Sequence, residues 1–279
     1  MTYRSLLVAL GQDPLCGARV QMAIRLAKEF EGHLAGVAPT GALQLPGSTE
    51  SAAALAELSA LAWDALRDEA EKVAQAFRNQ CRRADLKSFD ATIDEADHAV
   101  AIVRAAHCSD ITLLTQADPA AQHHRAAQAI VEQVILHSAR PTLILPYTGV
   151  DRLGDRVMVA WDDSLEANRA VADALPFLKR AKHVQIVSWD EPDVRGDRTL
   201  RTRQESMRRW LALHGVAADA SIEPPTSRIA ESMLSLTADL EADLIVMGAY
   251  GHARWTERLF GGATRGLLAS MTVPVLMSH

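Results

Sequence analysis

The residues with the clearest chemical meaning are four glycines and a threonine near the end of the chain. They are Gly248, Gly251, Gly261, Gly262 and Thr264. The first glycine directly follows the apolar run 244–247, which is typical of a buried strand. Glycines between a strand and a helix let the backbone approach a ligand closely, and the free N–H groups of a helix start favour an anion. This pattern therefore indicates a phosphate site.

The glycine spacing differs from the two common phosphate motifs. The stretch contains no GxGxxG, and no Lys-Ser or Lys-Thr follows the last glycine. It resembles the glycine signature of the universal stress protein family, in which two residues separate the first two glycines and nine separate the second from the third. The family usually has Ser, Thr or Asn directly after the third glycine, whereas this chain has Gly262. Thr264 falls where the family often carries a second hydroxyl.

The two halves of the chain repeat each other. The run DITLL at 110–114 matches DLIVM at 243–247, an offset of 243 minus 110, or 133. Pro141 and Pro274, each followed by an apolar run, give the same offset without a gap. Repetition over such a length indicates two copies of one structural unit.

The start of each copy gives a different offset. The run SLLVAL at 5–10 matches RVMVAW at 156–161, an offset of 151. The first copy therefore carries 151 minus 133, or 18, extra residues, which we place within Pro39–Ala60 because that segment is rich in Ala, Gly, Ser and Pro. We predict an N-terminal domain over 1–148 and a C-terminal domain over 154–279.

Each copy reads as five strands that alternate with helices. The predicted strands of the first copy are Ser5–Leu10, His33–Ala38, Phe89–Ile93, Ile111–Thr115 and Thr142–Pro146, with the longest helix around Ala52 to Arg83. Those of the second copy are Val157–Trp161, His183–Trp189, Ala218–Ile222, Leu244–Met247 and Val273–Met277. The alternation predicts the α/β class, with two tandem Rossmann-like domains, each a five-stranded parallel sheet with helices on both faces. Ligands of such sheets bind beyond the carboxyl ends of the strands, where strand order reverses.

In the second copy this rule selects the loops after strands one and four. The resemblance implies an adenine nucleotide between them, with the strand-one acid Asp162 near the base and ribose. Alternatively, Asp162, Asp163 or Ser164 caps the helix that follows. The predicted binding residues are Ala160, Asp162, Val187, Met247, Gly248, Gly251, His252, Arg254, Gly261, Gly262, Ala263 and Thr264. The implied ligand is ATP or another adenine nucleotide, with or without Mg²⁺.

The first copy lacks the residues of this pattern. The positions equivalent to the four glycines hold Thr115, Asp118, Gln128 and Ala129, and Val131 replaces Thr264. Gly11 stands in place of Asp162. Because side chains at the glycine positions block a close approach of the backbone, we expect the first copy to keep the fold without a nucleotide site. We therefore expect at most one nucleotide per chain, in the C-terminal half.

Charge and composition exclude several kinds of partner. The net charge of −6 argues against general attraction to nucleic acid or anionic lipid. No apolar run has the length of a membrane span, and the N-terminal run is too short for a signal peptide.

Three widely spaced cysteines suit a reducing compartment, so we expect a cytoplasmic protein. The His123-His124 pair is adjacent in a polar loop, and we predict no metal site there.

No catalytic constellation is recognisable. The sequence has no GxSxG and no HExxH, and no base for an attacking water is evident. We therefore expect a stress-response regulatory protein with at most weak ATP hydrolysis. The alternative is a scaffold that acts through protein partners without nucleotide. A receiver-like domain is rejected because Pro224-Pro225 follows strand three and no Lys follows strand five.

The fifth strands predict how the copies associate. Single-copy members of the family often pair through this strand, so the resemblance implies that Thr142–Pro146 pairs with Val273–Met277 within one chain. The result is an internal pseudo-dimer. Whether two chains associate further as a homodimer is left open by the sequence.

Overall fold

The chain forms two compact units, Tyr3–Leu114 and Thr115–His279. A computed structural model describes residues 2–41, 52–190, 197–224, 226, 228–251 and 262–279. The domain boundaries at 1–148 and 154–279 follow the sequence repeat and stay a prediction. Strand five of the first copy belongs to the second unit, because it is paired there.

The first copy contains five strands and four helices among its described residues. They are β1 (Ser5–Ala9), α1 (Cys16–Glu29), β2 (His33–Pro39), α2 (Ala52–Arg83), β3 (Phe89–Asp94), α3 (His98–Ala106), β4 (Ile111–Thr115), α4 (His124–His137) and β5 (Thr142–Leu145). Helix α2 is the longest, with 32 residues, as expected.

The second copy repeats the alternation, with one helix broken by a proline. Its elements are β6 (Arg156–Ala160), α5 (Leu165–Asp173), α6 (Leu175–Leu178), β7 (His183–Trp189), α7 (Asp197–Leu213), β8 (Asp219–Glu223), α8 (Ile229–Asp239), β9 (Leu244–Gly248), α9 (Gly262–Ser270) and β10 (Val275–Ser278). Within the described parts of the chain, no helix combines the length and the apolar character needed to cross a bilayer.

All ten predicted strands are confirmed, with ends that differ by at most two residues. The largest difference is at β10, which begins at Val275 instead of Val273. Pro274 lies between the two positions and has no N–H to donate to a ladder. The extra residues of the first copy lie between β2 and β3, which are separated by residues 40–88, whereas β7 and β8 are separated only by 190–218. Their placement within Pro39–Ala60 stays a prediction, because residues 42–51 lie outside the described part of the chain.

In the unit Tyr3–Leu114 the strands form a parallel sheet in the order β3-β2-β1-β4. Strand β1 is central and reads as a continuous apolar run because both of its faces are covered. Leu6, Leu34 and Ile111 are fully buried on neighbouring strands. Their burial supplies the main stabilising contribution of this unit.

In the unit Thr115–His279 the order is β5-β10-β9-β6-β7-β8. Strands β10, β9, β6, β7 and β8 are parallel, so the five-stranded parallel sheet predicted for the second copy is confirmed. Strand β5 pairs with β10 in antiparallel fashion, with Leu143 opposite Leu276. The pairing of the two fifth strands, predicted from the resemblance, is thereby confirmed.

The contact between β5 and β10 predicts a large loss of stability for Leu276→Ala. Leu276 is fully buried and has paired strands on both sides. Its truncation leaves a cavity that rigid strands cannot fill, so the free energy of unfolding should fall by about 2–5 kcal/mol. Urea denaturation followed by circular dichroism measures this change.

The matched control for Leu276→Ala is Leu213→Ala, since Leu213 is 86% exposed at the end of α7. Its effect should stay within about 0.5 kcal/mol. Equal losses in the two variants would contradict the placement of β10 in the core.

Candidate functional site

The candidate site lies where strand order reverses in the second copy. Strand β6 has β7 on one side and β9 on the other, and Ala160 is in register with Met247. Because β6 and β9 are adjacent and parallel, the loops that leave their carboxyl ends meet at one edge of the sheet. The loops are residues 161–164 and residues 249–251. Both loops are those that the sequence predicts to bind the ligand.

The sequence left open which residue of the loop after β6 caps the next helix, and the structure identifies it. The Ser164 Oγ accepts a hydrogen bond from the Ala167 N–H at 3.1 Å and is the N-cap of α5. Asp162 uses Oδ1 to accept the Ser164 N–H at 3.0 Å, and no described residue donates to its Oδ2. Ser164, and not Asp162 or Asp163, is therefore the N-cap of α5. The Oδ2 of the half-buried Asp162 carboxylate therefore has no donor among the described residues.

Asp163 fixes the shape of this loop. Its φ of 62° lies in the left-handed region, which is uncommon for a residue other than glycine. The Asp163 carboxylate forms an ion pair with Arg203 of α7 and accepts a hydrogen bond from Asn168. Asn168 in turn accepts the indole N–H of Trp161 at 3.0 Å. These contacts set the direction in which Asp162 leaves the strand.

Gly248 is a glycine for a structural reason. A Cβ at this position would lie 2.5 Å from the Ala167 nitrogen and 2.7 Å from the Glu166 carbonyl carbon. Real Cβ atoms do not approach backbone atoms this closely, so any side chain here would push α5 away from the end of β9. The tight contact holds the first turn of α5 against the candidate site.

Gly251 faces a carboxylate that sequence reasoning missed. A Cβ on Gly251 would lie 3.0 Å from Glu166 Oε2 and 3.7 Å from Ser164 Oγ. Glu166 is in the first turn of α5, where an acid is favoured by the helix dipole. Its position two residues after the serine cap was the available signal. Asp162 and Glu166 thus bring two carboxylates to the loops, and an anion bound there needs a compensating cation.

Thr264 ties the loop after β9 to the first turn of α9. Its side chain is buried, and its Oγ1 accepts the Tyr250 N–H at 3.4 Å. Tyr250 has a φ of 53°, a strained conformation for a bulky residue. The contact shows that the start of α9 lies beside residues 249–251. The N–H groups of a helix start are therefore near the second loop.

The remaining predicted residues divide into two groups. Ala160, Val187 and Met247 lie in one row across β7, β6 and β9, all at most 6% exposed, and form the floor below the loops. Gly262 and Ala263 begin α9. His252, Arg254 and Gly261 lie outside the described residues, and their role stays a prediction. Among the residues that the structure covers, no group of three or more His, Cys, Asp or Glu side chains is placed to hold a metal ion.

The equivalent positions of the first copy are used differently. Asp118, at the position of Gly251, accepts the Ala120 N–H at 2.8 Å, and Gln128 and Ala129 lie inside α4. In the unit Tyr3–Leu114 the end of β1 is occupied by Arg19, which is 6% exposed. Its guanidinium donates to the Ala9 carbonyl and pairs with Asp13. The loss of the nucleotide site in the first copy stays a prediction.

Comparison with known proteins gives the family of the second copy. The model of the universal stress protein family matches residues 154–279. This segment is a universal stress protein domain. No curated protein matches the chain in sequence. The match includes β6, β9, α9 and both loops of the candidate site.

Solved structures show that the fold extends over both copies. A universal stress protein from Archaeoglobus fulgidus DSM 4304 superimposes with a TM-score of 0.71 and 18% identity, covering 98% of this chain and 97% of that one. A protein of unknown function from Pseudomonas aeruginosa PAO1 gives 0.62 at 17% identity, with 99% and 92% covered. A putative universal stress protein from Pseudomonas aeruginosa UCBPP-PA14 gives 0.61 at 18%, with 99% and 93% covered. At these identities the likeness shows the fold alone, which confirms the predicted fold class.

The close contact at Gly248 predicts a destabilised Gly248→Ala variant. The new methyl group would collide with the backbone of α5, so the free energy of unfolding should fall by roughly 1–3 kcal/mol. Thermal and urea unfolding measure the loss.

Gly17→Ala is the matched control for Gly248→Ala. Gly17 is exposed within α1, and a Cβ there meets nothing within 4 Å. Because alanine is the better helix former, this variant should be more stable by about 0.5–1 kcal/mol. Opposite signs are expected for the two substitutions, and equal effects would contradict the packing described for Gly248.

Proposed function

We propose that the universal stress protein domain binds an adenine nucleotide between the loops 161–164 and 249–251. The observation that carries the proposal is the free Oδ2 of Asp162, which lies at the strand-order reversal beside a glycine loop. A carboxylate oxygen without a donor suits the vicinal hydroxyls of a ribose. Its Oδ1 is already held by the Ser164 N–H, so the acceptor is oriented before a ligand arrives.

The phosphates of the nucleotide would approach Gly251 and the start of α9. Gly251 leaves room that a side chain would fill, and the Tyr250–Thr264 hydrogen bond places the N-terminal end of α9 beside the same loop. Backbone N–H groups at a helix start bind phosphate through hydrogen bonds and the helix dipole. The residues present therefore fit a nucleotide, with the sugar at β6 and the phosphates at β9.

The proposed ligand is a magnesium complex of ATP or of a related adenine nucleotide. Glu166 brings a negative charge to within contact distance of Gly251, and Asp162 adds a second on the neighbouring loop. These charges repel a free polyphosphate, whereas a bound Mg²⁺ reduces its charge. Nucleotide binding without a dedicated base favours a regulatory role in the stress response over turnover.

Asp162→Asn tests the sugar contact. Asparagine keeps an oxygen for the Ser164 N–H and removes the negative charge that accepts the ribose hydroxyls. Loss of a charged hydrogen bond worth 1.5–3 kcal/mol should weaken binding by roughly 10- to 100-fold in calorimetric titration with MgATP.

The matched control for this substitution is Asp118→Asn. Asp118 makes the same type of turn in the first copy, through the Ala120 N–H. MgATP affinity should be unchanged in this variant. If the unmodified protein binds no adenine nucleotide, or if Asp162→Asn binds as tightly, the proposed site is wrong and a scaffold that acts through protein partners becomes the better interpretation.

Gly251→Ala tests the phosphate contact separately. The added methyl group meets the end of the flexible Glu166 side chain, which can move, so the fold should tolerate the change. It should weaken the binding of MgATP and leave the binding of adenosine unchanged, because adenosine has no phosphate. Parallel titrations with the two ligands measure the difference, and equal losses for both would contradict a phosphate position at Gly251.

A further inference from the structure

Strands β5 and β10 pair around an approximate two-fold axis. Leu143 lies opposite Leu276, and 276 minus 143 is 133, the offset between the copies. On either side of this pair, Thr142 is opposite Met277 and Ile144 is opposite Val275. Adding 133 to 142 and to 144 gives 275 and 277, so Thr142 faces the equivalent of Ile144, and Ile144 faces the equivalent of Thr142. Residues at equivalent positions therefore meet near the axis.

The same relation holds for an ion pair between α4 and α9. Arg265 donates from Nε to Glu132 Oε1 and from an Nη to Glu132 Oε2, both at 3.1 Å. Since 265 minus 132 is 133, the two residues are equivalent positions of the repeat. We use the name pairing surface for β5 and α4 together with β10 and α9. At this pair of equivalent positions, where α4 contacts α9, the chain has an acid in the first copy and a base in the second.

Opposite charges at equivalent positions determine which copies can pair. If two first copies met around the same axis, Glu132 would face a second Glu132. If two second copies met, Arg265 would face a second Arg265. Either arrangement replaces a paired contact by repulsion between like charges, which is unfavourable across an interface. Only a first copy with a second copy gives the observed bidentate pair.

The surroundings of the ion pair strengthen this discrimination. The Glu132 side chain is only 16% exposed and also accepts a hydrogen bond from Gln128 at 3.1 Å. The Tyr250 hydroxyl lies beside the pair, where burial and the Glu132 charge raise its pKa to about 12. The Arg265 side chain is 57% exposed, so water screens its side of the pair, and the discrimination comes from the mostly buried Glu132 carboxylate, which is costly without a donor. A second acid in place of Arg265 would find few donors.

A second contact on the pairing surface is also asymmetric. The Gln116 amide is buried and donates to the Leu268 carbonyl at 2.8 Å. Its equivalent in the second copy is Ala249, since 249 minus 116 is 133, and alanine has no amide to donate. Two second copies could not form this hydrogen bond. The Leu268 carbonyl thus also requires a first copy as its partner.

We propose that Glu132 and Arg265 determine which copies pair through the pairing surface. Two copies pair when the residues at this position have opposite charges, and they do not pair when both residues have the same charge. The partner that fits the α4–β5 side is a universal stress protein domain with a base at the position of Arg265. The partner that fits the α9–β10 side carries an acid at the position of Glu132. This selection favours pairing within one chain over pairing between like copies of two chains.

Charge reversal tests the proposal in the full chain. Glu132→Arg and Arg265→Glu each place like charges together, and each should lower the unfolding midpoint by ~2–4 °C. The double variant, with both charges exchanged, should recover most of that loss. Raising the salt concentration to about 1 M should shrink the differences, because exposed charges are then screened. Lys87→Glu, a charge reversal at an exposed residue that is not part of α4, β5, α9 or β10, is the control and should change the midpoint little.

Partner choice is tested by mixing the two single variants. In Glu132→Arg chains both positions 132 and 265 hold a base, and in Arg265→Glu chains both hold an acid. In a mixture, a dimer of the two variants can therefore pair each base of one chain with an acid of the other. After the variants are refolded together with different affinity tags and cross-linked, unlike dimers should exceed the dimers formed by either variant alone. A double variant whose loss equals the sum of the single losses would overturn the proposal. So would equal amounts of cross-linked dimer in the mixture and in the separate samples.

Discussion

Strand β10 is the element on which the second unit depends, because it is hydrogen-bonded on both sides. It runs parallel to β9 and antiparallel to β5, and residues 275–278 are all buried. A strand in this position satisfies its backbone groups in two directions and leaves no open edge. It also reaches the candidate site, since the Ser278 carbonyl accepts the Ala249 N–H at 2.9 Å. The strand that joins β5 to the second copy therefore also holds the start of the loop 249–251.

Gly248 at the end of β9 and Gly251 in the loop that follows have different surroundings. Gly248 is required because α5 lies against the end of β9, at a distance that excludes a Cβ. A Cβ on Gly251 would meet the end of the flexible Glu166 side chain and, at a longer distance, Ser164 Oγ, so packing among the described residues does not require a glycine there. Packing thus accounts for the first glycine, and the proposed phosphate contact accounts for the second. Substitution of its members should separate effects on stability from effects on affinity.

The copies share a fold and differ in chemistry. The second copy keeps a free carboxylate oxygen and a glycine loop at the ends of β6 and β9. The first copy has a buried arginine at the end of β1 and a helix over positions 128 and 129. Gln116 and Glu132 of the first copy contact α9. The two copies therefore have different side chains at equivalent positions, and the loss of the first nucleotide site stays a prediction.

The sequence by itself determined the ten strands, the offset of 133, the parallel order of the second copy and the choice of the two loops. These follow from local apolar runs, from repetition and from the chain geometry of parallel sheets, all of which are readable without contacts. Only the tertiary structure decided that Ser164 caps α5, that Gly248 is a packing residue, that Glu166 reaches Gly251 and that Glu132 pairs with Arg265. Each of these depends on the position of a side chain relative to another element. Such positions are set by packing between segments far apart in the chain, which residue types and spacing do not specify.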